Sequence, residues 1–309
     1  MSTSAARVAA IDCGTNSIRL LVADRNTGNG LVDVRREMRI VRLGQGVDRT
    51  GRLAPVALER TRVALHEYAA TIGELDAHPV RMVATSATRD AANRDDFTAM
   101  VRAELGVEPE VITGAEEAEL SFAGAASVLP HLSGALLVAD IGGGSTELVR
   151  GGDGPLRAHS MDVGCVRMTE RHLHDDPPTR KQIAATVADV RAALEAARVD
   201  VPLDQPVTFV GVAGTVTTIA AIALELPAYD SAAIHGARIA AGQIAEVTER
   251  LLAMTHEQRA ALPVMHPGRV DVIGGGALVL RTLVEDVGVD EIVASEHDIL
   301  DGIALSLLG

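Results

Sequence analysis

The sequence predicts an α/β protein made of two related halves that face each other across a cleft, and three observations carry that prediction. An acid, a glycine two residues on and a serine three beyond that occur twice, 128 positions apart, as Asp12-Cys13-Gly14-Thr15-Asn16-Ser17 and Asp140-Ile141-Gly142-Gly143-Gly144-Ser145. Strand-like residues flank both copies, at 8–11 and 18–22 and again at 136–139 and 147–149. The chain has 309 residues, 47% of them hydrophobic, which is enough to bury the cores of two domains.

A single glycine-rich turn is usually only a hairpin turn. An acid and a glycine turn repeated at most of a domain's spacing point to duplication. Glycines let the backbone approach an anion and aim its N–H groups into a concavity, and Ser145 and Thr146 add hydroxyl donors. Asp140, at a strand end, is placed to hold a divalent cation through water, since Mg²⁺ takes one or two carboxylates plus phosphate oxygens. Neither loop has P-loop or dinucleotide-fold spacing.

In chain order, the turn Thr27-Gly28-Asn29-Gly30 and the alternating segment 32–43 make the opening unit three antiparallel strands. A glycine loop at 43–48 precedes a helix that opens at Pro55, with Val56, Leu58, Val63, Leu65, Tyr68 and Ile72 at roughly helical spacing. A strand at 80–84 runs into Thr85-Ser86-Ala87-Thr88-Arg89, placing Arg89 at the rim where open α/β sheets bind ligands. A helix stopped by Gly106 and a strand at 107–112 follow.

Thr113-Gly114-Ala115-Glu116 fits a capping box, which gives Glu116 a local task and leaves Glu117 without one. Glu117 shares a helix face with Leu120 and Gly124, so its carboxylate is expected to emerge from packed surroundings rather than from an open surface. The helix ends near Pro130, and the second hairpin closes at Gly151-Gly152-Asp153-Gly154-Pro155 before a strand at 156–162. Helices at 165–174 and 179–198 are separated by Asp175-Asp176-Pro177-Pro178, and the nearby His172 and His174 read as a solvated helix end, not a metal site. A strand at 207–210 passes through Gly211-Val212-Ala213-Gly214-Thr215 into a helix at 216–224, whose N-terminal amides favour an anion. Helices at 241–254 and 277–287, with Gly274-Gly275-Gly276 between them, a strand at 292–294 and a last helix at 299–308 complete the chain. That last helix is expected to return to the first half.

Composition narrows the partners. A formal net charge of −14 opposes extended binding to nucleic acid or anionic membranes, and with 2% aromatics and no Trp, base stacking is a poor means of recognition. A polyanionic substrate would be held locally by metal, backbone amides and a few arginines. Lys181 is the only lysine, a skew too general to mark one site. Cys13 and Cys165 make no disulfide framework and fit a reducing cytosol, with Cys13 read as a small apolar filler. Residues 1–7 lack a signal core and no run reaches membrane-helix length, so a cytoplasmic protein is expected.

With these residues in hand, the chain resembles the exopolyphosphatase and guanosine pentaphosphate phosphohydrolase family, within the actin-like, sugar-kinase and chaperone ATPase superfold of duplicated ribonuclease H-like domains. The two hairpins alone match only the superfold. The stretches Thr113-Gly114-Ala115-Glu116-Glu117-Ala118 and Ala84-Thr85-Ser86-Ala87-Thr88-Arg89 single out the family, joined by residues 42–48, Gly164-Cys165-Val166-Arg167, 211–218 and Arg269-Val270-Asp271-Val272-Ile273. The resemblance implies domains at 1–126 plus 299–309 and at 127–298. It implies Glu117 as the base that deprotonates water and Arg89 as a grip on terminal phosphates. Asp12, Asp140 and Glu147 match the acids around Mg²⁺. Gly14, Thr15, Asn16, Ser17, Gly142, Gly143, Gly144 and Ser145 match the phosphate loops, and Arg19, Arg167, Gly214 and Thr215 further substrate contacts. The implied substrate is inorganic polyphosphate or guanosine pentaphosphate, and a homodimer is expected. An ATP-dependent kinase or ATPase of the same superfold is the reading from another class. Longer relatives carry an additional C-terminal helical domain, so this short form is expected to act on shorter chains. The tail Glu296-His297-Asp298-Ile299-Leu300 lacks the glycine and basic residue that the resemblance leads one to expect there.

Overall fold

The structure is a computed structural model and describes residues 7–26, 30–129, 132, 134–205 and 207–308. The expected turn at 27–29 lies outside the described residues. The chain divides into two compact units, residues 1–128 with 298–309 and residues 129–297.

In the first unit, β1 (Arg7–Cys13), β2 (Ser17–Arg25) and β3 (Leu31–Ile40) form the expected antiparallel meander. Two further strands, β4 (Val80–Ala84) and β5 (Glu110–Val111), add in parallel beside β1, giving the order β3-β2-β1-β4-β5. Strand β1 is apolar almost throughout because both of its faces are covered. Ala9, Ile11 and Cys13 belong to one core with Leu65, Tyr68 and Phe97, while Val8 and Ala10 on the opposite face pack with Ile299, Leu300 and Ile303. Strand β3 is an edge strand, and it carries the exposed charges Asp33, Arg35 and Arg36 that discourage further pairing. The helices α1 (Val47–Thr50), α2 (Pro55–Glu74), α3 (Ser86–Arg89), α4 (Arg94–Leu105) and α5 (Gly114–Ser127) fill the connections.

The second unit repeats this plan. Strands β6 (Leu136–Ile141), β7 (Thr146–Gly151) and β8 (Arg157–Met161) form the meander, and α6 (Cys165–His172) and α7 (Arg180–Ala197) lead to β9 (Thr208–Val212), parallel to β6. After α8 (Ala213–Ala223) and α9 (Ser231–Ile234) come β10 (Arg238–Ala240), α10 (Ala241–Ala253), α11 (His256–Ala260), α12 (Ile273–Val287) and β11 (Glu291–Ala294). The sheet order is β10-β11-β9-β6-β7-β8. Read from β8 inward to β11, it matches the first sheet strand for strand, with β10 as an added edge. This duplicated ribonuclease H-like topology is the actin-like fold. The last helix, α13 (Ile299–Leu308), belongs to the first unit.

One expectation is corrected here. Gly274, Gly275 and Gly276 do not link two elements; they form the first turn of α12. A Cβ on Gly275 would stand 2.5 Å from Thr169 Oγ1, and one on Gly276 would stand 2.5 Å from Thr215 Oγ1. The glycines serve close packing of α12 on α6 and α8, at a cost of about 1 kcal/mol each in helix propensity.

Glycine also governs the crossing of α5 and α13. A Cβ on Gly124 would fall 1.9 Å from the Asp298 carbonyl oxygen, and one on Gly302 would fall 2.0 Å from the Leu120 carbonyl oxygen. Backbone against backbone cannot yield as a side chain can. Gly124→Ala is therefore expected to cost about 3 kcal/mol of stability, measured by denaturant unfolding. A loss within 0.5 kcal/mol, the range usual for surface changes, would mean that the two helices do not meet so closely.

Candidate active site

Each hairpin turn is closed by the same hydrogen bond. The Gly14 amide donates to the Ser17 carbonyl at 3.0 Å, and the Gly142 amide donates to the Ser145 carbonyl at 3.0 Å. The acids also sit at equivalent places, since Asp12 pairs across the strands with Arg19 and Asp140 with Glu147. The duplication thus exchanges one residue type at one position. Beside its acid, the first unit has an arginine and the second a glutamate.

That exchange sets the local charge. Arg19 donates through Nε (3.0 Å) and Nη2 (2.5 Å) to a single oxygen of Asp12, Oδ2, and through Nη1 to Asp298 Oδ2. Asp12 is 4% exposed and burial pushes its carboxyl up, against the pull of Arg19. Its Oδ1 is buried and finds no hydrogen-bond partner among the described residues, as do Thr15 Oγ1 in the adjoining loop and Thr88 Oγ1 in α3. Buried oxygens of this kind are uncommon in native proteins and mark a place for a polar ligand. In the second unit Asp140 and Glu147 are both buried neighbours across the β6/β7 pair, and Ser160 donates to Glu147 Oε1 at 2.7 Å. Two buried carboxylates on one face suit a divalent cation better than an Asp–Arg pair does. No group of three or more His, Cys, Asp or Glu residues is assembled as a self-contained metal cage among the described residues.

Strands β1, β4 and β5 lie side by side, and their carboxyl ends carry the remaining first-unit candidates, where open α/β sheets hold ligands. Thr113 accepts from the Glu116 amide (3.2 Å) and Glu116 Oε2 accepts from the Thr113 amide (2.8 Å), the expected capping box. Glu117 is thereby released from capping; it is 7% exposed and accepts from Arg89 Nη1 at 2.9 Å. The same nitrogen donates to the Ile112 carbonyl at 3.1 Å. The proposed base and the proposed phosphate grip are thus one ion pair.

In the second unit the loop is braced from α6. The amides of Cys165, Val166 and Arg167 donate to the carbonyls of Gly142 and Gly143, and Arg167 Nε donates to the Gly144 carbonyl at 2.7 Å. All three glycine carbonyls are engaged, which lowers the repulsion an anion would meet at the loop. A Cβ on Gly164 would stand 2.5 Å from the Gly143 carbonyl oxygen. Gly164→Ala is expected to displace the loop and lower activity about tenfold while the fold persists; unchanged kinetics would remove the brace from the site.

At the carboxyl end of β9, Gly214 and Thr215 open α8, and Arg269 lies so close that a Cβ on Gly214 would meet its guanidinium at 2.4 Å. Arg269 Nη1 donates to Thr218 Oγ1 at 3.0 Å. Its place beside this anion-favourable helix end was not legible in the sequence, and neither was the hold of Asp298 on Arg19. In both, the partners lie more than 50 residues apart. The His172 cluster makes ordinary polar contacts: His172 Nε2 lies 2.8 Å from Asp189 Oδ2, and Asp176 accepts from Arg259 at 2.8 Å. Cys13 and Cys165 are buried, and burial raises both thiols, Cys165 to about 11 and Cys13 well above its usual value. No helix among the described residues is long and apolar enough to cross a membrane.

A duplicated ribonuclease H-like fold with acid-and-glycine hairpins in both units and a half-buried Glu–Arg pair defines a phosphoryl-group enzyme of the actin-like class. Residues 21–309 match the Ppx/GppA phosphatase family, and the chain belongs to it. It is similar to Exopolyphosphatase 2 of Mycobacterium tuberculosis, at 56% identity over 98% of this chain and 99% of that one. Among solved structures, it is similar to an exopolyphosphatase-like protein (47% identity, TM-score 0.93, 98% and 97% of the two chains). It is also similar to the Aquifex aeolicus Ppx/GppA family member (32% identity, TM-score 0.82, 98% and 97% covered).

Proposed function

We propose that this protein is an exopolyphosphatase that releases the terminal phosphate of inorganic polyphosphate by in-line attack of water, assisted by Mg²⁺. The observation that carries the reading is Glu117, a buried carboxylate freed from capping by Glu116 and held by Arg89 at the carboxyl end of the first sheet. In this reading Glu117 orients a water and takes its proton as the new P–O bond forms. The bridging P–O bond breaks, and the shortened chain leaves with the bridging oxygen. Arg89 holds Glu117 in place and would face the equatorial phosphate oxygens. Loop amides of 14–17 and 142–145, with Arg167, Gly214 and Thr215, would orient the chain.

Asp140, Glu147 and the unpaired Oδ1 of Asp12 are the groups suited to hold Mg²⁺. The ion would neutralise charge on the phosphate oxygens. Arg19 is engaged by two carboxylates, so its part in substrate binding would be indirect. In this reading the protein works as a cytoplasmic homodimer.

The same chemistry on guanosine pentaphosphate is the second reading, favoured by the family itself, whose name covers both activities. Purified protein should be offered polyphosphate, guanosine pentaphosphate and ATP, each with and without Mg²⁺. Metal-dependent phosphate release fastest from polyphosphate is expected; faster release from the nucleotide would move the assignment to the second reading, and release from ATP alone would discard both.

A further inference from the structure

We infer that Asp298 is a positioning residue for Asp12, acting through Arg19 to keep one oxygen of that acid available to a divalent cation. The inference rests on the metal-assisted reading above and goes beyond it by assigning a task to a residue of the C-terminal segment. Arg19 reaches Asp12 with two of its nitrogens, but both end on Oδ2, and the third donates to Asp298 Oδ2. A guanidinium left to itself grips a carboxylate in a fork, one nitrogen to each oxygen. Here Nε and Nη2 converge on one oxygen while Nη1 is drawn to Asp298, and Asp12 Oδ1 remains buried and unpaired.

Asp298 is itself fixed. It is 3% exposed, its Oδ1 accepts from the Leu300 amide at 3.0 Å, and its own amide donates to Asp301 Oδ2 at 3.1 Å. Asp301 in turn accepts from Arg36 at 2.6 Å, so the first turn of α13 is anchored to β3 as well as to β2. Two carboxylates on one guanidinium leave one net negative charge beside the first glycine loop. Without Asp298, Arg19 would neutralise Asp12 and close over both of its oxygens.

The test uses the full chain and Mn²⁺ as the probe, followed by electron paramagnetic resonance without substrate. Asp298→Asn and Asp298→Ser remove the charge while leaving an oxygen for the Leu300 amide, so helix α13 keeps its first-turn contact. Both are expected to bind Mn²⁺ about tenfold more weakly than the parent. Asp298→Glu, which keeps the charge, should bind within about twofold of the parent, and it remains informative if either neutral variant fails to fold. Affinities equal to the parent in the neutral variants, with only a lowered melting temperature, would reduce Asp298 to a structural residue and overturn the inference. A glutamate variant as weak as the neutral ones would also overturn it, as would a parent that binds no Mn²⁺. Phosphate release by the parent is assayed separately, so loss of this inference is distinguishable from loss of the hydrolase reading.

Discussion

Glu117→Gln is expected to fold as the parent does and to lose phosphate release by about 100- to 10,000-fold, the range over which a positioned general base contributes. The amide keeps the shape of the side chain and an oxygen that can still accept from Arg89, so the stability cost should be about 1 kcal/mol. What it loses is the capacity to take a proton from water. Measured side by side, melting temperature and phosphate release separate these effects. A folded variant with activity near the parent level would remove Glu117 from catalysis. Arg89 shares the ion pair, so its substitution should lower the rate too, and the two losses should not add, because the residues act as one unit.

Asp140→Asn is expected to reduce the rate by about 100- to 1,000-fold at a fixed low Mg²⁺ concentration, a loss comparable to that of one preorganised electrostatic contact to the reacting group. Part of it should return as Mg²⁺ is raised. Among the described residues, Asp140 and Glu147 are the only register-paired acids on the two hairpins, so the substitution halves the carboxylate charge at that position. Rate against Mg²⁺ concentration is the measurement. A parent-like curve would place the cation elsewhere, with the Asp12 oxygen as the next candidate.

The parts of this fold that were legible in the sequence are those in which local chemistry speaks for itself. An acid and a glycine turn between two apolar runs specify a hairpin without help from the rest of the chain. So does the capping box at Thr113, and its success freed Glu117 for another task. The parts that were not legible depend on what approaches from far away in sequence. Gly274 to Gly276 look like a loop until α6 and α8 are seen pressing on them. Arg89 and Glu117 are 28 residues apart, and no periodicity joins them. Asp298 is 279 residues from the arginine it holds, and no local pattern joins the two. The short elements α3 and α9 and strand β10, of three or four residues each, lie below the length at which hydrophobic periodicity can be counted.

The claim that water attacks a terminal phosphoryl group under the control of Glu117 is tested most directly by running the reaction in ¹⁸O-labelled water with polyphosphate and Mg²⁺. Each phosphate released by the parent protein should carry one labelled oxygen, at a rate that collapses in Glu117→Gln. Release of unlabelled phosphate, or transfer of the terminal group to an acceptor other than water, would contradict it.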